Sequence, residues 1–530
     1  MTAIVTNKFR FANLRKAKAR IDEGIDNLYL AIGRSEAWAN ESLPPTPDID
    51  YEDELAARHA IQSIKKMTDV AYVAPRHNWQ SGATYVAYDD ADPDLHTKAY
   101  YVINTSSFNV YICLKAGPST STVEPVGVDD GGSGVEADRG SVTPTVGADG
   151  YIWKYLYTIS AADATKYLAN DFMPVFRDAN VAANAVQGAI HNIKIDNGGA
   201  GYSTAPTVTI SGDGSGATAT ATLTLGVVTG ITVTNIGSGY TYATVSVSGG
   251  SPSTAAQLRA VVAPISEGRE IDSISVTTGG SSYTNGAMGI TITGDGYQAV
   301  AAGTVTGGVL QDSISVSAAG YNYTEATASP AYTTAGTAAE LEVAFTSAKG
   351  GFGYDPTVDL NAYYVMANTT LEGDENPTEG FNGDFIPGNN YRQIALLLNP
   401  LDISTPQVAF SATTGMVLSK HTVAAGGTWV QDDIITGGSS GAKAIIDYYD
   451  AATESLYYHQ TQVTGFSAFT DGETLTGAGV STGAIAAAGS SANQSGDVDK
   501  YSGRMIFLEN RVAVSRAADQ TEDLKLVIQF

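Results

Sequence analysis

Along residues 50–67 apolar side chains recur at helical spacing, with Ala56, Ala60, Ile64 and Met67 on one stripe and Glu54, Arg58 and Lys65 off it. This predicts an amphipathic helix, capped by Asp48 or Asp50 and carrying Asp53 and Glu54 in its first turn. Three runs read instead as strands: YYVIN at 100–104, NVYICL at 109–114 and IWKYLYTI at 152–159. DDGGSG at 129–134 reads as an exposed loop between them. Alternation returns at the end of the chain, where Leu524, Leu526 and Val527 to Ile528 lie beside Asp523 and Lys525. A closing strand is expected there, held by pairing to earlier residues and built into a core.

Between about Ile190 and Tyr332 the pattern becomes a repeat of the form I-x-(I or V)-x-x-x-G-x-x-Y-(S or T). Its copies start at Ile193, Ile231, Ile274 and Ile314, with glycines at Gly199, Gly237, Gly280 and Gly320 and tyrosines at Tyr202, Tyr240, Tyr283 and Tyr323. The steps are 38, 43 and 40 residues. Each copy predicts a period-2 strand, a glycine turn, a tyrosine and usually a second alternating run such as TVSVSG or GITITG. Between Lys194 and Arg259 the only charges are Asp196 and Asp213. Edges with so little charge have to be paired inside a closed or stacked array, or used for contact. A second turn-rich stretch, from about Gln407 to Ser495, holds DDIITGGSSGAKAIIDYYD and GETLTGAGVSTGAIAA and predicts hairpins of a small barrel or sandwich.

Composition agrees with that pattern. A chain of 530 residues, 43% hydrophobic, is long enough for several domains and too apolar for wholesale disorder. Its 57 glycines and many short strand-like runs point to a mainly β protein. Against 55 acidic residues stand 29 basic ones, a net charge of −26, so the long-range field repels a phosphate backbone and nucleic acid is not an expected partner. The basic run Lys8, Arg10, Arg15, Lys16, Lys18 and Arg20 reads as the solvated face of a helix. The single cysteine, Cys113, excludes an intrachain disulfide and reads as a small buried apolar residue of a protein folding in a reducing cytoplasm. With no apolar window of membrane length and no leader-like start, neither a membrane partner nor secretion by a signal peptide is expected.

Candidate chemistry is sparse. G-x-S-x-G occurs at Gly437-Ser439-Gly441 and Gly479-Ser481-Gly483, but neither serine precedes a helix, as a nucleophile elbow requires, and both read as turns. Asp90, Asp92 and Asp94 have the spacing of the first calcium ligands of an EF-hand, yet Leu95 and Tyr101 stand where the turn glycine and the bidentate glutamate belong. The histidines His59, His77, His96, His191, His421 and His459 show no zinc spacing. No catalytic residue, cofactor or metal is therefore assigned. The repeat tyrosines Tyr202, Tyr240, Tyr283 and Tyr323 offer faces on which a glycan could stack, although packing over the glycine turn explains their fixed offset better.

Several short segments fall in a telling order: AIVTNKFR at 3–10, AIGRSEAW at 31–38, APRHNW at 74–79, DGYIWKYLYTI at 149–159, YRQIALLLNPL at 391–401, and SGRMIFLENR and ADQTED near the end. Together they resemble the small wedge subunit of the baseplate of T-even-type contractile-tail phages. The likeness covers roughly residues 1–176, 354–401 and 499–530. It implies a mainly β, multi-layer sandwich host domain in three pieces, 1–185, 346–404 and 497–530, interrupted by an inserted β-repeat domain at 186–345 and a small β domain at 405–496. It further implies a non-enzymatic virion protein, assembled in the host cytoplasm, that forms a homodimer and joins other wedge subunits around a central hub. Arg34, Glu36, Trp38, Arg76, Trp79, Arg504, Glu509 and Arg511 are the residues expected to anchor either interfaces or the fold. The alternative is a tail-associated adhesin whose repeat insert binds host-surface glycans. A depolymerase would need paired carboxylates in a cleft, and the repeat stretch is nearly devoid of them.

Overall fold

The computed structural model describes residues 6–48, 51–127, 147–323, 325–332, 336–373, 384–386, 389–487, 489–515 and 520–530. The expected loop at 129–134 and the candidate cap Asp50 lie outside them. Strands account for 46% of the structure and helices for 9%, in several antiparallel sheets, so the protein is mainly β and consistent with a sandwich fold. Two compact units divide the chain: Met1–Ala71 with Tyr364–Phe530, and Tyr72–Tyr363. The piece read from sequence as 1–185 is thus shared between the units, because residues 72–185 cluster with the repeat stretch that follows them.

In the first unit a five-stranded sheet runs Thr414–Met416, Ile61–Lys66, Leu28–Gly33, Asn390–Leu398, Arg504–Ser515. Distant parts of the chain meet here: Ala31 lies opposite Ile64 on one side and Ala395 on the other. All six residues of Leu28–Gly33 are buried, as a central strand covered on both faces requires. Tyr29, Ile64, Leu397, Phe410 and Val498 form its core. The closing strand exists as expected: Glu522–Gln529 pairs with Tyr364–Leu371 from Gln529 opposite Tyr364 to Glu522 opposite Leu371. It sits at the edge, however, and its residues are half-buried or exposed.

The helix expected over 50–67 stops at Ala60, and IQSIKK becomes the Ile61–Lys66 strand. Ile61 and Ile64 fit either period, and pairing on both sides, to Leu28–Gly33 and to Thr414–Met416, decides for the strand. Arg58, read as polar-face, is buried and donates to the carbonyls of Lys500, Ser502 and Gly503 at 2.7–3.1 Å. A helix over Asn7–Asp22 carries the basic run, with Thr6 as its N-cap and Phe11 and Leu14 buried.

Within the stretch read as 405–496, Thr414–Met416 belongs to the five-stranded sheet, and residues 419–484 form a six-stranded sheet in the order Ser419–Thr422, Ser455–His459, Lys443–Asp450, Ile434–Gly437, Thr474–Gly477, Thr482–Ala484. A bridge between Val423 and Ile485 brings its two edges together, so the sheet curls into a small barrel. Entry and exit are paired, Leu401–Asp402 with Val498–Asp499.

In the second unit the three anticipated strands form one sheet, Tyr101–Ile103, Asn109–Lys115 and Ile152–Thr158, whose faces bury Tyr100, Tyr157, Tyr111 and Trp153. Cys113 is fully buried among them, and burial pushes its thiol far above the ordinary range. The four sequence copies that follow resolve into two lobes of two copies each. Lobe one comprises Ile190–Asn197, Thr207–Gly212, Ser215–Thr224, Val227–Ser238, Ala243–Ser248 and Gln257–Val262. Lobe two repeats the plan with Ile271–Thr278, Gly286–Gly294, Tyr297–Thr306, Ser315–Tyr321, Ala326–Pro330 and Glu340–Phe345. In each, the first and last strands pair with one another, so the chain enters and leaves at one place. That closure is what allows a lobe to be inserted or duplicated without disturbing its host.

All four repeat glycines are left-handed, with φ of +66°, +61°, +64° and +69° at Gly199, Gly237, Gly280 and Gly320. A Cβ there would lie 2.5–2.7 Å from backbone atoms of the facing strand. Backbone conformation and space both demand glycine.

Candidate functional site

Charged side chains from far-apart segments of the first unit converge under the GRSEAW turn. Arg34, itself left-handed at φ +61°, lays its guanidinium 3.8 Å over the Trp38 ring. Arg392 projects from the middle of a buried strand and donates to both Glu41 oxygens, at 2.9 and 3.1 Å, and to the carbonyl of Ser35. Trp38 donates through Nε1 to the Arg511 carbonyl at 2.9 Å. At the centre stands His459, whose Nδ1 is 2.7 Å from Asp447 Oδ2 and whose Nε2 is 3.1 Å from Glu36 Oε1. Asp447 also accepts from Gln62 Nε2 at 3.1 Å.

With a carboxylate on each ring nitrogen, both nitrogens donate and the imidazole is held as a cation. Burial opposes that charge, but Asp447 and Glu36 outweigh it and raise the pKa from 6.5 to about 10. Burial likewise works against Glu36, while His459 and Arg34 hold it at about 2. A histidine clamped on both sides has no nitrogen left to accept a proton from a nucleophile. The cluster therefore does a positioning job: it fixes the barrel strands that carry Asp447 and His459 to the GRSEAW turn and the Asn390–Leu398 strand.

The same unit has an open edge. Arg504–Ser515 is the outermost strand of its sheet, twelve residues long, with Ile506, Phe507 and Val512 exposed. Beside it a groove of about 480 Å³ is lined by Ile21, Leu28, Leu396, Phe507, Leu526 and Phe530, among others. Apart from the Arg511 carbonyl, which Trp38 covers, this is an exposed apolar edge, and such an edge is a template for pairing with another chain.

The remaining expected anchors fall in several places. Arg504 is exposed at the start of the edge strand, Glu509 is half-buried opposite Ile394, and Arg511 meets Trp38 through its carbonyl. Arg76 donates to Asn78 and to the Ala169 carbonyl, both at 2.8 Å, and Trp79 to Ser121 Oγ at 3.1 Å, contacts internal to the second unit.

The glycan reading of the repeat tyrosines is corrected by their burial. Tyr202, Tyr240, Tyr283 and Tyr323 expose 5, 2, 5 and 3% of their surface, too little to stack on any ligand. They pack over the glycine turns, and the hydroxyls of Tyr202 and Tyr283 each accept from the backbone N–H just before a lobe's last strand, of Ala256 and Ala339, at 2.8 Å. Both G-x-S-x-G segments are turns closed by a carboxylate: Glu473 accepts from Ser439 N and Ser440 N at 2.9 Å, and Asp433 from Gly479 N at 2.9 Å. In the acidic loop Asp92 pairs with Lys98, while Asp89 takes a bidentate bond from Arg259 at 2.6 and 2.7 Å and an ion pair from Lys194 at 3.0 Å. The two cations that bracket the charge-poor stretch thus tie lobe one to this loop. Among the described residues no group of three or more His, Cys, Asp or Glu is placed to hold a metal ion, and no helix is long and apolar enough to cross a membrane.

Sequence reasoning found Arg34, Glu36 and Trp38 but not Glu41, Arg392, Asp447 or His459. The available signal was a charge inside an apolar strand, as in YRQIALLLN and AIIDYYD. No protein-family model matches the chain, and no curated protein matches it.

Proposed function

We propose that this chain is a structural wedge subunit of a contractile phage-tail baseplate, acting by assembly and not by turnover. The observation that carries the reading is the ordered series of segments from AIVTNKFR to ADQTED, several of which meet in one sheet with an open apolar edge. Arg504–Ser515 presents backbone groups and apolar side chains together, the combination used in strand-to-strand docking. A homodimer joined through this edge is the assembly we assign, with other wedge subunits on the remaining faces. The buried ion cluster suits a part that must hold its shape while neighbours rearrange, since separating its charges leaves them unpaired in a low dielectric.

Mass spectrometry of tails purified from particles encoding this chain tests the reading. Peptides from it are expected in the baseplate fraction at a fixed ratio to the sheath protein; their absence from intact tails overturns the assignment.

A further inference from the structure

Lobe two differs from lobe one at four positions that share one corner of the sheet. Where lobe one pairs Ser215 with Ser238 across its strands, lobe two pairs Tyr297 with Tyr321. The next residue in each strand is left-handed in both lobes. Lobe one places glycine there, Gly216 at φ +83° and Gly239 at φ +80°, whereas lobe two places Gln298 at φ +65° and Asn322 at φ +59°. Glycine adopts this conformation freely and asparagine tolerates it, but glutamine does not, so Gln298 is held in a conformation that costs about 1 kcal/mol. Strain of this kind collects where a side chain is needed at a particular spot.

Three of these side chains, Tyr297, Tyr321 and Asn322, meet at the surface. Tyr297 and Tyr321 are each 52% exposed, with ring centroids 5.8 Å apart and planes tilted by 40°. Asn322 is locked beside them, its Oδ1 accepting from Gly268 N at 3.1 Å and its Nδ2 donating to the Tyr297 hydroxyl at 3.4 Å. None of the four is charged. Thr291 and Thr293 face outward on the neighbouring strand, and the exposed Asp295 and Glu325 flank the corner, the Glu325 N–H donating to Asp295 Oδ1 at 3.1 Å.

We infer that this corner binds a neutral oligosaccharide. A sugar ring has an apolar C–H face, which stacks on a tyrosine ring, and a rim of hydroxyls, which amides and phenols satisfy from the side. The two exposed rings and their phenol groups match that division in kind. A protein partner needs about 800 Å² with an apolar centre, and two half-exposed rings flanked by Asp295 and Glu325 do not supply it. An acidic polymer is disfavoured by the net charge of −26. The inference does not depend on the assembly reading, because the rings lie in lobe two and the open edge strand belongs to the other unit.

The test is an array of neutral and acidic oligosaccharides probed with the full-length chain, followed by titration of the hits. Binding of one or more neutral glycans is expected, weakened about tenfold or more by Tyr297→Ala or Tyr321→Ala and unchanged by Ser215→Ala in lobe one. Calorimetric melting of each variant verifies that it is folded. No binding at millimolar sugar, binding to acidic glycans alone, or binding that survives both tyrosine substitutions in a folded protein overturns the inference.

Discussion

The sheet built from the chain ends and the two glycine-rich lobes bury polar groups by opposite means. Around the GRSEAW turn the work falls to full charges, with Arg392, His459 and Asp447 buried and paired to the partly exposed Glu41 and Glu36. In the lobes it falls to backbone ladders and four neutral tyrosines, two of which accept from backbone N–H groups at 2.8 Å. Charges far apart in sequence fix which segments meet, and they tolerate little change. A lobe closed by its own first and last strands makes few such demands. The plan occurs twice, with two serines and two glycines at the outer corner of one lobe and two tyrosines, a glutamine and an asparagine at that of the other.

The comparison breaks most visibly at His459. His459→Ala leaves Asp447 and Glu36 facing each other without their cation, and a loss of about 3–5 kcal/mol is expected from denaturant unfolding. Among the described residues the lobes carry no such doubly paired histidine, so the probe should follow the first unit, for instance Trp38 or Trp429 fluorescence in otherwise Trp-free variants. A loss under about 1 kcal/mol would place the cluster among ordinary surface pairs.

Acidity sharpens the same contrast. His459 is raised from 6.5 to about 10, so its ion pairs contribute fully below pH 6.5 and fade as pH rises toward 10. Glu36 is held at about 2 against an ordinary 4.5, so its share is present above pH 4.5 and is lost between there and pH 2. The stability gap between wild type and His459→Ala is therefore expected to be widest at about pH 4.5–6.5 and to close on the alkaline side. His421 acts in the other direction: buried against Tyr458, it is pushed down to about 4, and its contribution falls as pH drops from 6.5 toward 4. A gap that is flat from pH 5 to 10 would remove the charge argument.

Smaller effects are expected in the lobes. Tyr202→Phe or Tyr283→Phe leaves one backbone N–H without its acceptor and should cost about 1–2 kcal/mol in thermal unfolding. Tyr297→Ala and Tyr321→Ala, on the outer corner, should change stability by less than about 0.5 kcal/mol. If the inner and outer tyrosines proved equally costly, the division between packing rings and surface rings would fail.

Much of this architecture can be read from the chain because it depends on local rules. The strands at 101–103, 109–115 and 152–158, the closing strand and the glycine-tyrosine repeat all follow from alternation and turn chemistry. Residues 61–66 misled because Ile61 and Ile64 satisfy two periods and only their sheet neighbours choose between them. The pairing of four repeats into two lobes was hidden because each motif spans only part of a barrel, and closure is a long-range event. For the ion cluster, Glu36 stands 423 residues from His459, and no spacing rule reaches that far. Sequence does separate Tyr202 from Tyr297, since only Tyr202 falls at the fixed offset from a repeat glycine, and that tyrosine is the buried one.

Sedimentation of the full-length chain, with and without charge placed on the edge strand, tests most directly whether the sheet of chain ends is an assembly surface. Wild type is expected to run as a dimer at micromolar concentration, and Phe507→Asp, on an already exposed position, as a monomer with unchanged melting. A wild-type monomer, or a dimer indifferent to Phe507→Asp, would contradict the assignment of that edge to self-assembly.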